Sequence, residues 1–130
     1  MIDEQYKYSA LTSKIIGAAM QVHSTFGSGF QEVIYQRALA IEMSDGGINF
    51  GREQEMPVLY KERQIGTRRV DFLAEGVICV EIKAVIELDD VHLAQAINYL
   101  EAFRLEIGLL INFGSKSLQF KRVQSKSFEL

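Results

Sequence analysis

At 130 residues and 48% apolar content, the chain has the size of one ordinary domain and enough hydrocarbon for a core without disulfide or metal staples. Its 14 basic and 17 acidic side chains give a formal charge of −3, which excludes a broad cationic field for nucleic acid or anionic lipid and leaves any polyanion to a local patch or a bound cation. The lone cysteine, Cys79, excludes an intrachain disulfide and a cysteine-built zinc site and points to a reducing, cytoplasmic setting.

The opening MIDEQYKYS is acidic where a secretory leader is basic and then apolar, and no apolar run reaches the length of a membrane span. With a single proline, Pro57, and no linker or repeat, one domain over 1–130 is expected. From Leu11 to Phe26, apolar residues Leu11, Ile15, Ile16, Ala19, Met20 and Val22 fall near a 3.6-residue period, which predicts a helix capped by Ser9 or Thr12 and stopped at Gly27. A second helix is expected from Ser28-Gly29, through Val33, Leu39, Ile41 and Met43, to Asp45-Gly46-Gly47.

After Phe50 the period changes. Met56, Val58 and Tyr60 alternate, Lys61-Glu62-Arg63 reads as a polar turn, Ile65 to Leu73 is extended, and Glu75-Gly76 precedes the apolar run Val77 to Ile82. These residues predict a three-stranded antiparallel meander whose last strand, apolar at nearly every position, lies in the centre of a sheet. Asp89 and Asp90 open a third helix with an apolar face of Leu93, Ala96, Ile97, Leu100 and Phe103. Ile107 to Phe113 and Leu118 to Val123 supply two more strands, giving a mixed α/β fold around a central sheet.

On a strand, alternate side chains share a face, so Glu81 and Lys83 lie with Cys79 while Ile78, Val80 and Ile82 face the other way. Charges on an apolar central strand cost on the order of several kcal/mol of desolvation unless paired, hydrogen-bonded or bound to metal. Asp71 joins this face if the hairpin loop is odd, Glu75-Gly76-Val77, which sets it opposite Glu81; a two-residue loop sets it against Val80. The odd loop is expected. Two carboxylates then converge where a hard divalent cation such as Mg²⁺ accepts oxygen ligands, with Lys83 beside it.

Asp71 followed by Glu81-Ile82-Lys83, with Glu32 on an earlier helix and Gln95 and Tyr99 on a later one, resembles the PD-(D/E)XK nuclease superfamily. Gly29-Phe30-Gln31-Glu32-Val33-Ile34-Tyr35, with VEIKA at 80–84, HLAQAINYL at 92–100 and GLLINFG at 108–114, is similar to its GxxExxY branch. Ser28 stands where that branch usually has proline, and Val70 where the superfamily nominally has it. The resemblance implies a restriction-endonuclease-like fold, in which a mixed sheet with an antiparallel meander is flanked by helices. It also implies metal-dependent hydrolysis of nucleic acid, DNA rather than RNA. Asp71, Glu81 and the Ile82 carbonyl would hold Mg²⁺ or Mn²⁺, Glu32 would add an acidic ligand directly or through water, and Lys83 would orient the attacking water. Gln95 and Tyr99, one helical turn apart, resemble the QxxxY element of the RecB-like branch.

Other residues carry plainer readings. Gly27 and Gly29 allow a tight turn between helices, His23 is a packing residue, and Cys79, with no histidine placed beside it, belongs to the core. His92 is a substrate contact or a structural histidine, and Tyr99 is a site residue or a core aromatic. Arg52, Lys61, Arg63, Arg68 and Arg69 line a phosphate track or guard strand edges; both readings stand. The alternative function is a catalytically silent nuclease-fold module that binds nucleic acid or a protein partner. A further option is a self-associating subunit, a homo-oligomer whose neighbour brings specificity.

Overall fold

In a computed structural model that describes residues 7–126, the chain forms helices α1 (Ser9–Phe26), α2 (Glu32–Asp45) and α3 (Asp90–Phe103) around a five-stranded sheet. The strands are β1 (Phe50–Tyr60), β2 (Arg63–Ala74), β3 (Ile78–Lys83), β4 (Ile107–Asn112) and β5 (Gln119–Gln124), and they lie side by side in chain order. The first three pair antiparallel, β3 and β4 run parallel with α3 crossing between them, and β5 returns antiparallel on β4. This is the restriction-endonuclease-like α/β arrangement expected, with β3 at the centre. The acidic opening, residues 1–6, lies outside the described residues.

Burial on both sides explains why β3 and β4 are apolar at most positions, the exceptions falling toward their C-terminal ends at Glu81, Lys83 and Asn112. One face carries α1 and α2, whose Ile15, Ala19, Val22, Tyr35, Leu39 and Met43 pack on Phe72, Ile78, Val80, Ile82, Leu109 and Ile111. The other carries α3, whose Ala96, Leu100 and Phe103 meet Met56, Val70, Cys79, Leu110 and Val123. Gly108 lets that helix come close: a Cβ there would stand 3.0 Å from the Cys79 carbonyl oxygen and 3.1 Å from Leu100.

Several boundaries differ from the periodicity. Helix α1 starts at Ser9 with Tyr8 as its N-cap and no side-chain cap; the Thr12 hydroxyl instead donates to the Ser9 carbonyl. Helix α2 begins at Glu32, because Gly27 and Gly29 take positive φ values and spend the residues between on a turn. The β1–β2 turn is Lys61-Glu62 alone, both at positive φ, so Arg63 already belongs to β2.

Strict alternation also fails within β2. Val70 and Leu73 pack with the α3 side, but Phe72 and Ala74 pack with the α1–α2 side. The change of face falls at Asp71, where Asp71 and Glu53, itself at a φ of 51°, both drop out of a β1–β2 ladder whose register is the same on either side. A local twist therefore turns Asp71 relative to the rest of its strand.

Candidate metal and nucleic-acid site

The hairpin between β2 and β3 has the odd loop. Ala74 pairs with Ile78, leaving Glu75-Gly76-Val77 between them, and the register runs through Leu73 with Cys79 and Phe72 with Val80. One further step places Asp71 opposite Glu81. There the ladder gives way to a side-chain bond: the Ile82 N–H donates to Asp71 Oδ2 at 2.8 Å. The other oxygen, Oδ1, accepts from Nε2 of Gln36 at 2.8 Å. Gln36 lies one turn beyond Glu32 on α2 and is buried, so α2 clamps the aspartate from the side.

Glu81 is 7% exposed, and its Oε1 is buried without a hydrogen-bond partner. Burial pushes its carboxyl up to about 8, and the negative charge of Asp71 adds to the rise; Arg68 and, more weakly, Lys83 oppose it. Its other oxygen, Oε2, stands 3.8 Å from the Arg68 guanidinium, a loose ion pair. The same environment raises the Cys79 thiol, which is buried on the α3 side, and this agrees with its reading as core.

Glu32 opens α2 and is exposed, yet its carboxylate end is drawn partly out of water, which raises its pKa; Lys83 counters this and Asp71 adds to it. The Lys83 ammonium thus acts on both Glu32 and Glu81, and Asp71 acts on both as well. The four side chains are thus coupled electrostatically around the end of β3. Among the described residues, however, no three Asp, Glu, His or Cys side chains are gathered closely enough to hold a metal ion between them as they stand. Asp71 and Glu81 form the tight pair, and Glu32 stands outside it.

Two polar networks set these positions. Tyr35, fully buried and stacked on Phe113 with ring centres 4.7 Å apart, donates to the Gly27 carbonyl at 2.5 Å and accepts from the Phe30 N–H at 3.2 Å. Those bonds hold the loop that delivers Glu32 to the start of α2. On the other side, buried Asn112 accepts from the Val85 and Gly114 amides and donates to the Val85 carbonyl and Gln119 Oε1, which fixes the chain as it leaves Lys83. His23 bonds the Ser115 carbonyl oxygen at 3.0 Å and is a packing residue, as its helix position suggested.

From α3, Gln95 and Tyr99 line a small hollow with Glu81, Lys83 and His92. His92 accepts the Asp89 N–H through Nδ1 while Asp89 accepts the His92 N–H, a reciprocal cap, so the structural reading of this histidine is satisfied even though its ring borders the hollow. Tyr99 has the Arg68 guanidinium carbon 4.0 Å above its ring centre and Phe103 stacked at 6.0 Å. Wider hollows elsewhere, one bordered by Lys14, Gln21 and Glu42 and another by Arg37, Ile41 and Arg52, are open and lie away from the carboxylate pair.

Sequence reasoning does not reach Gln36, and it names Arg68 only as one of five basic residues that line a phosphate track or guard strand edges. For Gln36 a signal existed, its helical spacing of four from Glu32. For Arg68 alternation was misleading, because the twist at Asp71 separates the faces. Of the five basic residues around the meander, Arg68 alone borders the carboxylates; Arg69 pairs with Glu55 at 3.9 Å, and Lys61 lies over the Tyr60 ring.

Among the described residues no helix is long and apolar enough to cross a membrane. No curated protein matches the chain. The solved structure of SSO0001 superposes with a TM-score of 0.51 over 91% of this chain at 17% sequence identity, a likeness of fold; this chain spans 59% of that one. The sequence model of the PD-(D/E)XK nuclease superfamily, whose members generally use divalent metal ions, matches residues 9–123. With the carboxylate pair and lysine at the end of a central strand and a match over nearly its whole length, the chain belongs to the PD-(D/E)XK nuclease superfamily.

Proposed function

We propose that this protein is a metal-dependent phosphodiester hydrolase acting on nucleic acid, DNA in preference to RNA. The observation that carries the reading is Glu81: a buried carboxylate beside a second one, with an oxygen that no donor reaches. Buried carboxylates are paired, protonated or metal-bound, and a hard cation suits an all-oxygen set of Asp71, Glu81 and the Ile82 carbonyl. Bound there, Mg²⁺ or Mn²⁺ supplies charge that acidifies water and steadies the phosphate oxygens.

The chain's own groups have distinct tasks in this scheme. Asp71, held at both oxygens, presents fixed lone pairs. Lys83 orients the attacking water and offsets charge developing on the phosphate. Glu32, outside the tight pair, acts through water. Gln95 and Tyr99 meet the substrate backbone on the α3 side, where Arg68 stacked on Tyr99 adds a donor for phosphate. The protein works in the cytoplasm, alone or with a second copy or protein partner to help grip substrate.

A second reading is a silent module that keeps the fold to bind nucleic acid or a protein. It draws on the absence of a ready three-ligand group among the described residues and on Arg68, which already offers Glu81 a positive charge. Titration with Mn²⁺ and cleavage of single- and double-stranded DNA by wild type and Glu81→Ala distinguish the two. The nuclease reading expects metal binding and cleavage by wild type and loss of both in the variant. Neither activity in wild type, with polyanion binding indifferent to chelator and to Asp71→Ala, establishes the silent module instead.

A further inference from the structure

Gln36 is 6% exposed on the face of α2 that meets the sheet, a place where a methionine or leucine would fill the volume at no polar cost. Its amide orientation is determined by its neighbour. A carboxylate can only accept, so the group 2.8 Å from Asp71 Oδ1 is the NH₂ end. The carbonyl end, Oε1, is therefore the buried atom left without a donor. Asp71 receives one hydrogen from Gln36 and one from Ile82, and protonated Glu81 bonds it as well; with Glu81 ionised, as a metal ligand must be, two acceptors, Gln36 Oε1 and Glu81 Oε1, receive none.

The two orphaned oxygens flank the same aspartate, one carried on α2 and one on β3. A protein interior leaves such atoms bare at a cost to stability, and the usual compensation is water or an ion. A bare cation satisfies Glu81 directly. The Gln36 carbonyl lies on the end of the amide turned away from Asp71, and a water bound to that cation is a hydrogen donor of the right kind for it.

We propose that Gln36 is a positioning residue of the metal site, whose NH₂ group aims the Asp71 carboxylate and whose Oε1 accepts a hydrogen from a water on the cation held by Asp71 and Glu81. This rests on the metal-dependent reading above and names the residue that shapes the second sphere of that site. It assigns to α2 a task in metal binding beyond delivering Glu32.

The test is Mn²⁺ affinity by calorimetric titration, with the Mn²⁺-induced rise in unfolding temperature, on the full chain as wild type, Gln36→Met and Gln36→Asn. Gln36→Met removes both the donor and the acceptor and is expected to weaken Mn²⁺ binding about tenfold, the lower end for partners of metal ligands. Gln36→Asn keeps the amide on a stem one carbon shorter, which withdraws it from Asp71, and is expected to weaken Mn²⁺ binding in the same direction without changing the charge. Equal affinity in wild type and Gln36→Met, whatever their baseline stabilities, would overturn the proposal and leave Gln36 a packing residue. If Gln36→Met does not fold, wild-type Mn²⁺ affinity in Gln36→Asn overturns it as well. Failure of wild type to bind Mn²⁺ at all has a different meaning: it removes the metal-dependent reading and this inference with it.

Discussion

Glu81 is the residue that ties stability to pH. Its carboxyl titrates near about 8 in the folded chain against an ordinary 4.5, since burial and Asp71 both disfavour the anion. Between those values the metal-free folded protein keeps a proton that the unfolded chain has released, so its stability, measured in chelator, falls as pH rises through the window and levels off above it. The change is on the order of a few kcal/mol. Glu81→Gln, neutral at every pH, is expected to flatten this fall, as read from urea midpoints at several pH values; a slope that survives the substitution places the titration on another group. The pair itself was legible in the sequence, because alternation along 78–83 puts Glu81 and Lys83 on one face and an odd loop brings Asp71 opposite. What alternation could not give was Gln36, whose contact depends on how α2 lies over the sheet, or the approach of Arg68, which depends on a twist that no residue pattern announced.

Elements place these groups more than any single residue does. The entry into α2 is set by Tyr35, whose hydroxyl serves Gly27 and Phe30 at once while its ring stays stacked on Phe113. Tyr35→Phe keeps the ring and removes both bonds. The expected loss is about 1–3 kcal/mol, the range for leaving partly buried partners unmade. Amide exchange should quicken at Phe30 while the amides of α3 on the opposite face keep their protection; uniform quickening across both helices would show that the hydroxyl serves the whole core and not the loop. The motif spacing GxxExxY marks this tyrosine in the sequence, but its partners are backbone groups, which spacing does not reveal. Helix and strand order was readable because two-sided burial leaves long apolar runs in β3 and β4. The start of α2 and the length of the β1–β2 turn were not, since both depend on positive φ values, two of them at Lys61 and Glu62, where side chains give no such signal.

At the scale of the whole molecule, a chain of net charge −3 has to meet a polyanion through a narrow contact. Several cations are already engaged away from the site: Lys7 with Glu106, Arg69 with Glu55, and Arg104 with Glu62. Near the carboxylates stand Arg68 and Lys83, and these two with the bound metal form the positive centre that a phosphate backbone would find. Affinity should then depend weakly on salt. For the Lys83→Met variant, which retains every carboxylate and is expected to hold DNA without cutting it, a plot of log affinity against log salt in Mn²⁺ should have a slope of about −1 to −3, since each neutralised phosphate contributes a little under one. Fluorescence anisotropy of a labelled oligonucleotide over about 50 to 200 mM salt measures it. A slope steeper than about −6 would mean that a broad basic track grips the strand, drawn from Arg52, Lys61 and Arg63, and the small contact argued here would be the wrong geometry.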